Sequence, residues 1–151
     1  MYIHTMNFLI RKLLESDYEK YRVLINGFRP TEFTQAEFIN TLTNINRHSD
    51  VWIVENDREF MATGTILYET KFIHNVSIYA HIEDIYVDET YRKHSIGKLL
   101  VEHLVNEAKR KKCYKIILDC NESLESFYKK NNFNKNGIQM VIYTDTFSSG
   151  V

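Results

Sequence analysis

The chain has 151 residues, with 19 Lys plus Arg against 20 Asp plus Glu, 44% hydrophobic and 26% charged residues. That composition belongs to a folded globular chain. The net charge of −1 argues against bulk nucleic acid or an anionic membrane surface as the main partner. The length suits one domain, residues 1–151, with one core.

The first strand is expected at about 8–13. Ser16 and Glu19 then read as a capping box, opening a helix with Tyr18, Tyr21, Leu24 and Ile25 on one face. After the loop GFRPTEF, which holds the only proline, Pro30, a second box of Thr34 and Glu37 starts a helix with Phe38, Leu42 and Ile45 at helical spacing. The period then changes to two. VWIVE at 51–55 and the run 59–69 read as strands joined through the END turn, and a third strand is expected at about 77–87 after the loop KFIH. Ile96, Leu99, Leu100, Leu104 and Ala108 mark a long helix whose last turn carries Lys109 to Lys112, where cations suit the helix dipole. KIILD at 115–119 reads as a buried strand, 123–131 as a short helix and 137–143 as a last strand. The order β α α β β β α β α β describes an α/β domain with a mixed central sheet and flanking helices.

Rare residues narrow the chemistry. The five Gly never form G-x-G, so a Rossmann fingerprint is absent, and Gly97-Lys98 lacks the upstream Gly of a P-loop. Cys113 and Cys120 form neither C-x-x-C nor a disulfide framework and read as reduced thiols in a cytoplasmic protein. The His residues show no metal-ligand spacing, so no metal is expected. MYIHTMNFLIRKL reads as neither a leader nor a membrane span.

The informative stretch is HIEDIYVDETYRKHSIGKLL. A carboxylate-bearing strand runs into a basic turn (Arg92, Lys93, His94) and then a helix start, whose unpaired N–H groups and dipole favour a phosphate. Arg92-Lys93-His94-Ser95-Ile96-Gly97 resembles the acyl-CoA motif Q/R-x-x-G-x-G/A of the GCN5-related N-acetyltransferase superfamily, with Ser95 where the first Gly is expected. KFIH, HIEDI, GKLL, CYKIILDC, FYKK and GIQM follow in the order and spacing of one family of that superfamily, the glucosamine-6-phosphate N-acetyltransferases.

That resemblance implies transfer of acetyl from acetyl-CoA to the amine of glucosamine 6-phosphate, for amino-sugar nucleotide synthesis, in a homodimer. It implies that acetyl-CoA lies along Ile85, Tyr86 and Val87, whose N–H groups polarise the thioester carbonyl. The phosphates would meet Arg92, Lys93, His94, Ser95, Ile96, Gly97 and Lys98. Tyr128 would protonate the departing thiolate. Glu83 and Asp119 would handle the amine, Asp119 through its backbone or its carboxylate. Asp84 alternates in facing with Glu83, so one acid would serve the amine and the other sugar hydroxyls or a neighbouring subunit. Lys71, Phe72, Ile73 and His74 form the substrate loop, and Ile85 also borders the sugar. Family members carry an arginine three residues after the methionine of G-x-x-M; here that position is Tyr143, and Arg29 is the expected substitute cation for the phosphate. The alternatives are an acetyltransferase for another small amine or a peptide N-terminus, and a non-catalytic acyl-CoA sensor.

Overall fold

The computed structural model describes residues 7–144; the first six residues of the N-terminal stretch read as no leader lie outside them. Alternating apolar runs build a five-stranded sheet. β1 (Leu9–Lys12), β2 (Ser49–Glu55), β3 (Phe60–Thr70) and β4 (Ile78–Val87) pair antiparallel in chain order, and β5 (Lys115–Ile117) joins β4 in parallel. The helices are α1 (Tyr18–Phe28), α2 (Gln35–Ile45), the single turn α3 (Ile73–Val76), α4 (Ile96–Arg110) and α5 (Glu122–Lys130). Two compact units divide after Leu118. The sheet and α1 to α4 belong to the first, α5 to the second.

Each face of the sheet is covered by the residues that the strand period brings to it. On one, Val51, Ile53, Phe60 and Tyr86 pack with Leu24 of α1 and with Phe38 and Leu42 of α2. On the other, α4 buries Ile96, Leu100, Val101, Leu104 and Ala108, and His103 stands edge-on to Trp52 at 4.3 Å between ring centres. The stripes expected to be core are core.

The second helix starts as its sequence predicts. Glu37 N–H donates to Thr34 Oγ1 at 3.2 Å and Thr34 N–H donates to Glu37 Oε2 at 2.7 Å. The first does not. A 3₁₀ turn, Glu15–Asp17, precedes α1, and the buried Asp17 takes the place of the expected Ser16–Glu19 box, accepting from Leu14 N–H at 2.7 Å. Arg11 explains why. Its guanidinium bonds both Asp17 oxygens, at 2.8 and 3.0 Å, and both Glu55 oxygens, at 2.6 and 3.2 Å. One fork thus ties β1, β2 and the entry to α1 together, and bidentate geometry is what Arg supplies best. Glu19 pairs instead with Arg22 on the surface.

The last expected strand is not formed. Residues 137–143 are irregular and exposed, although Gly137 to Tyr143 carries the apolar residues of a strand. KIILD is also shorter than expected, with only Lys115–Ile117 in the sheet.

Burial opposes the charge on Asp17, but the bonds from Arg11 and from Leu14 N–H outweigh it and hold the carboxyl below its ordinary value. A carboxyl depressed on folding adds stability above its unfolded pKa, about 3.9, and loses it as pH falls through the folded value. Asp17→Asn should therefore cost about 1.5–3 kcal/mol at pH 7 and progressively less as pH falls below about 3.9, read by denaturant unfolding across that range.

Candidate active site

The site is built on an extra residue in β4. Thr63 of β3 lies opposite Tyr86, and Thr65 lies opposite Glu83, so Asp84 and Ile85 together face Gly64. This is a β-bulge, a device common beside active sites. Gly64 makes room for it: a Cβ there would stand 2.5 Å from Ile85 Cδ1 and 3.1 Å from Leu104 Cδ1. Ile85 lies over the glycine towards α4. Asp84 takes up the extra length at φ 51°, in the left-handed region that Asp tolerates better than most residues.

The bulge interrupts strict alternation along β4. Glu83, opposite Thr65, faces the side covered by α1 and α2, and Glu83 and Asp84 are both exposed at the surface.

Pairing between β4 and β5 ends at His81 opposite Ile117, just before the bulge. From Ile85 to Val87 no strand lies on that edge of β4 among the described residues, an arrangement in which an extended ligand can pair with a strand edge. The strand then enters a 3₁₀ turn, Glu89–His94, where Asp88 accepts from Thr90 N–H at 2.9 Å. Arg92 Nε donates to Val87 O at 3.1 Å, fixing the turn to the strand end. Ser95 sits at φ 58°, ψ 18°, where a Gly would be unstrained and a Ser costs about 1–2 kcal/mol. That conformation is the reason the motif favours Gly here. Its side chain makes no cap bond, so the first N–H groups of α4 at Ile96 and Gly97 stay available to an anion. Lys93, His94 and Lys98 are exposed around them.

The loop expected to serve the substrate joins β3 to the Ile78 end of β4 and has strained backbone. His74, Asn75 and Val76 all have positive φ, 53°, 60° and 60°, and for a β-branched Val this is costly. His74 stacks on Tyr114 with ring centres 3.9 Å apart. Phe72 is 96% exposed, and Ile73 is exposed beside it. Lys71 is salt-bridged to Glu69, which also meets His81 at 3.0 Å, and its ammonium stands 5.1 Å from the Tyr79 ring centre. Arg29 is exposed over Phe28, 5.5 Å from its ring centre. Phe28 in turn stacks near Tyr86 at 5.5 Å, and Gly27 admits the Tyr86 hydroxyl where a Cβ would come within 2.4 Å of it. The loop carrying Arg29 is held by Tyr18, whose hydroxyl donates to Phe33 O at 2.8 Å.

In the second unit Asp119 and Cys120 are exposed and Tyr128 is buried in α5. Burial first, then the Cys120 and Asp119 charges, push the Tyr128 phenol up to about 12. It is a proton donor at neutral pH. Tyr143 lies in the irregular segment and is 90% exposed.

An open, bulged strand leading through a basic turn to an uncapped helix start defines an acyl-CoA-dependent acetyltransferase, and the family described as Acetyltransferase (GNAT) family matches residues 9–133. Glucosamine 6-phosphate N-acetyltransferase 1 of Dictyostelium discoideum is 37% identical over 142 residues, 90% of each chain. The Arabidopsis thaliana glucosamine 6-phosphate N-acetyltransferase is 35% identical over 145 residues, 91% of this chain and 97% of that one. The crystal structure of the Arabidopsis thaliana enzyme superposes with a TM-score of 0.87, covering 92% of this chain and 99% of that chain. The chain belongs to the GNAT acetyltransferases and, within them, to the glucosamine 6-phosphate N-acetyltransferase family.

Gly64, whose missing Cβ makes room for the bulge, was missed by sequence reasoning. A lone Gly inside a strand pattern is itself a bulge signal. Since the obstacle at Gly64 is the Ile85 Cδ1 methyl, Gly64→Ala should cost about 1–3 kcal/mol, and Ile85→Val, which deletes that methyl, should recover part of it in the double variant. Thermal unfolding of the four proteins checks this; additive losses would contradict the contact.

Proposed function

We propose that this chain, as a cytoplasmic homodimer, transfers acetyl from acetyl-CoA to the amine of glucosamine 6-phosphate, giving the N-acetyl sugar phosphate for amino-sugar nucleotide synthesis. The observation that carries the reading is the bulged β4 edge that runs open into the uncapped start of α4. The substrate comes from the names of its relatives.

Ile85, Tyr86 and Val87 offer peptide N–H groups to the pantetheine arm and the thioester oxygen. Arg92 to Lys98 and the first turn of α4 receive the pyrophosphate. Glu83 and Asp119 draw the proton from the substrate ammonium, and Asp84 bonds its hydroxyls. The neutral amine then forms a C–N bond at the thioester carbon as the C–S bond breaks, and the proton that the nitrogen sheds on becoming an amide restores the Tyr128 phenol once it has given its own to the thiolate. Tyr128, protonated up to about pH 12, supplies the proton the leaving thiolate takes. Lys71, Phe72, Ile73 and His74 border the sugar, with Arg29 and Tyr143 on its phosphate. No cysteine is needed as a nucleophile. Two free thiols, Cys113 and Cys120, suit a reducing compartment, and no helix among the described residues is long and apolar enough to cross a membrane.

The dimer rests on exposed apolar surface. Phe72, Ile73, Val76 and Tyr114 are exposed in the first unit, and Ile138, Met140, Ile142 and Tyr143 in the second. Patches of this kind mark association surfaces, and a second copy of the chain is the occupant proposed. Light scattering should give about twice 18.0 kDa; a monomer at micromolar concentration would remove the dimer.

CoA release with glucosamine 6-phosphate, glucosamine and a peptide amine tests the substrate, and the phosphorylated sugar should have the highest kcat/KM. Tyr128→Phe should lower kcat by about 10²–10⁴ with acetyl-CoA affinity retained. An unchanged kcat would return Tyr128 to a packing role.

A further inference from the structure

The basic turn before α4 carries an electrostatic difficulty of its own. Arg92, Lys93 and His94 stand side by side and exposed, next to a helix start whose dipole is also positive. Ser95 closes the turn at φ 58°, a conformation that a non-Gly residue keeps only where its neighbours over-determine it. With no anion bound, repulsion and strain both favour opening. A contact that needs no anion has to hold the turn.

Arg92 ties it back to β4 through Val87 O at 3.1 Å, and Tyr91 ties it sideways. The Tyr91 hydroxyl donates to Glu59 Oε1 and accepts from Asn56 Nδ2 at 3.1 Å. Both partners lie at the turn between β2 and β3, 32 and 35 residues away in sequence. Chemistry fixes the directions. A carboxylate only accepts, so the phenol proton goes to Glu59 and the phenol oxygen accepts from the amide. Asn56 presents its amide nitrogen because its Oδ1 already accepts from Arg58 N–H and Glu59 N–H, each at 2.9 Å. Asn56 N–H in turn donates to Glu59 O at 3.1 Å, so the hairpin turn is closed on itself and makes a firm anchor. The bond to Glu59 first, then burial, hold the phenol above its ordinary value. It remains a donor at neutral pH.

We propose that Tyr91 is a positioning residue for acetyl-CoA: by docking the basic turn on the β2–β3 turn, it holds the first N–H groups of α4 ready for the cofactor phosphates. This rests on the reading above, in which that turn and helix start receive the phosphates, and adds what keeps them in place beforehand. A site held ready binds more tightly than one that must first be assembled, since only the assembled fraction takes the ligand. Tyr91 itself touches no ligand.

Tyr91→Phe removes the hydroxyl and keeps the ring. Calorimetry and steady-state kinetics should show the CoA Kd and the acetyl-CoA KM raised together by about 3–10-fold, the worth of one hydrogen bond. The kcat and the KM for glucosamine 6-phosphate should stay within about twofold. Glu59→Ala should weaken CoA similarly, Glu59→Gln, whose amide oxygen still accepts, should recover much of that loss, and Tyr91→Phe with Glu59→Ala should be no worse than Tyr91→Phe alone. An unchanged CoA Kd in Tyr91→Phe, losses that add in the double variant, or an equal rise in the sugar KM overturns the assignment. The calorimetry needs no amine, so it stands whichever amine is acetylated. Lys93→Ala combined with Lys98→Ala tests the phosphate reading separately and should weaken CoA. If that pair weakens CoA and Tyr91→Phe does not, the phosphate site stands and Tyr91 falls. If neither does, or if wild type binds no CoA, both fall. Should Tyr91→Phe fail to fold, Glu59→Ala and Glu59→Gln, at an exposed position, carry the same comparison.

Discussion

Opposite Gly64, β4 carries two residues where β3 carries one, and the rest of the reactive edge depends on that mismatch. The missing Cβ lets Ile85 lie across β3 towards Leu100 and Leu104 of α4, so the distorted strand is buttressed by the helix whose uncapped start follows the basic turn. Asp84 absorbs the extra length in a left-handed conformation. Past that point β4 no longer runs beside β5, and peptide groups that a regular sheet would consume are left to a ligand. Local ladder bonds are lost, and an edge that can bond an extended acyl chain is gained.

Charge is distributed on the same principle. Arg11 is spent on folding, forked between Asp17 and Glu55, and Arg92 is partly spent through its bond to Val87 O. Lys93, His94 and Lys98 are left at the surface around an uncapped helix start. Strain accompanies them at Ser95 and again along His74 to Val76. Strained backbone of this kind clusters where function over-determines it, and in this chain part of it falls on the turn before α4 and on the loop between β3 and β4.

Much of this was legible in the sequence because it follows from period and capping. The Thr34–Glu37 box, the stripe Ile96, Leu100, Leu104 and Ala108, and the two-residue alternation of 51–55 each have one physical solution, and the structure adopts it. The misses have physical causes too. The α1 box failed because Asp17 found a stronger partner in Arg11, which lies six residues away in sequence and whose fork a capping rule does not see. Glu83 and Asp84 left strict alternation because a bulge is decided by the neighbouring strand, at Gly64. The run 137–143 has the composition of a strand, but a strand exists only where another strand accepts its hydrogen bonds. Family resemblance supplied the roles of Asp119 and Tyr128, which no spacing could give.

The order of the sheet has a kinetic consequence. From β1 to β4 each strand pairs with the one synthesised before it, so ladder closure between β2, β3 and β4 spans short stretches of chain. Such sequential topologies fold fast and can assemble as the chain emerges from the ribosome, N-terminal part first. The β3–β4 hairpin, bulge included, is complete before residue 96 has been made. Until α4 follows, Ile85 and the hollow at Gly64 remain open to water. The buttress arrives only after the hairpin it supports, so the bulged edge becomes rigid later than the ladder around it.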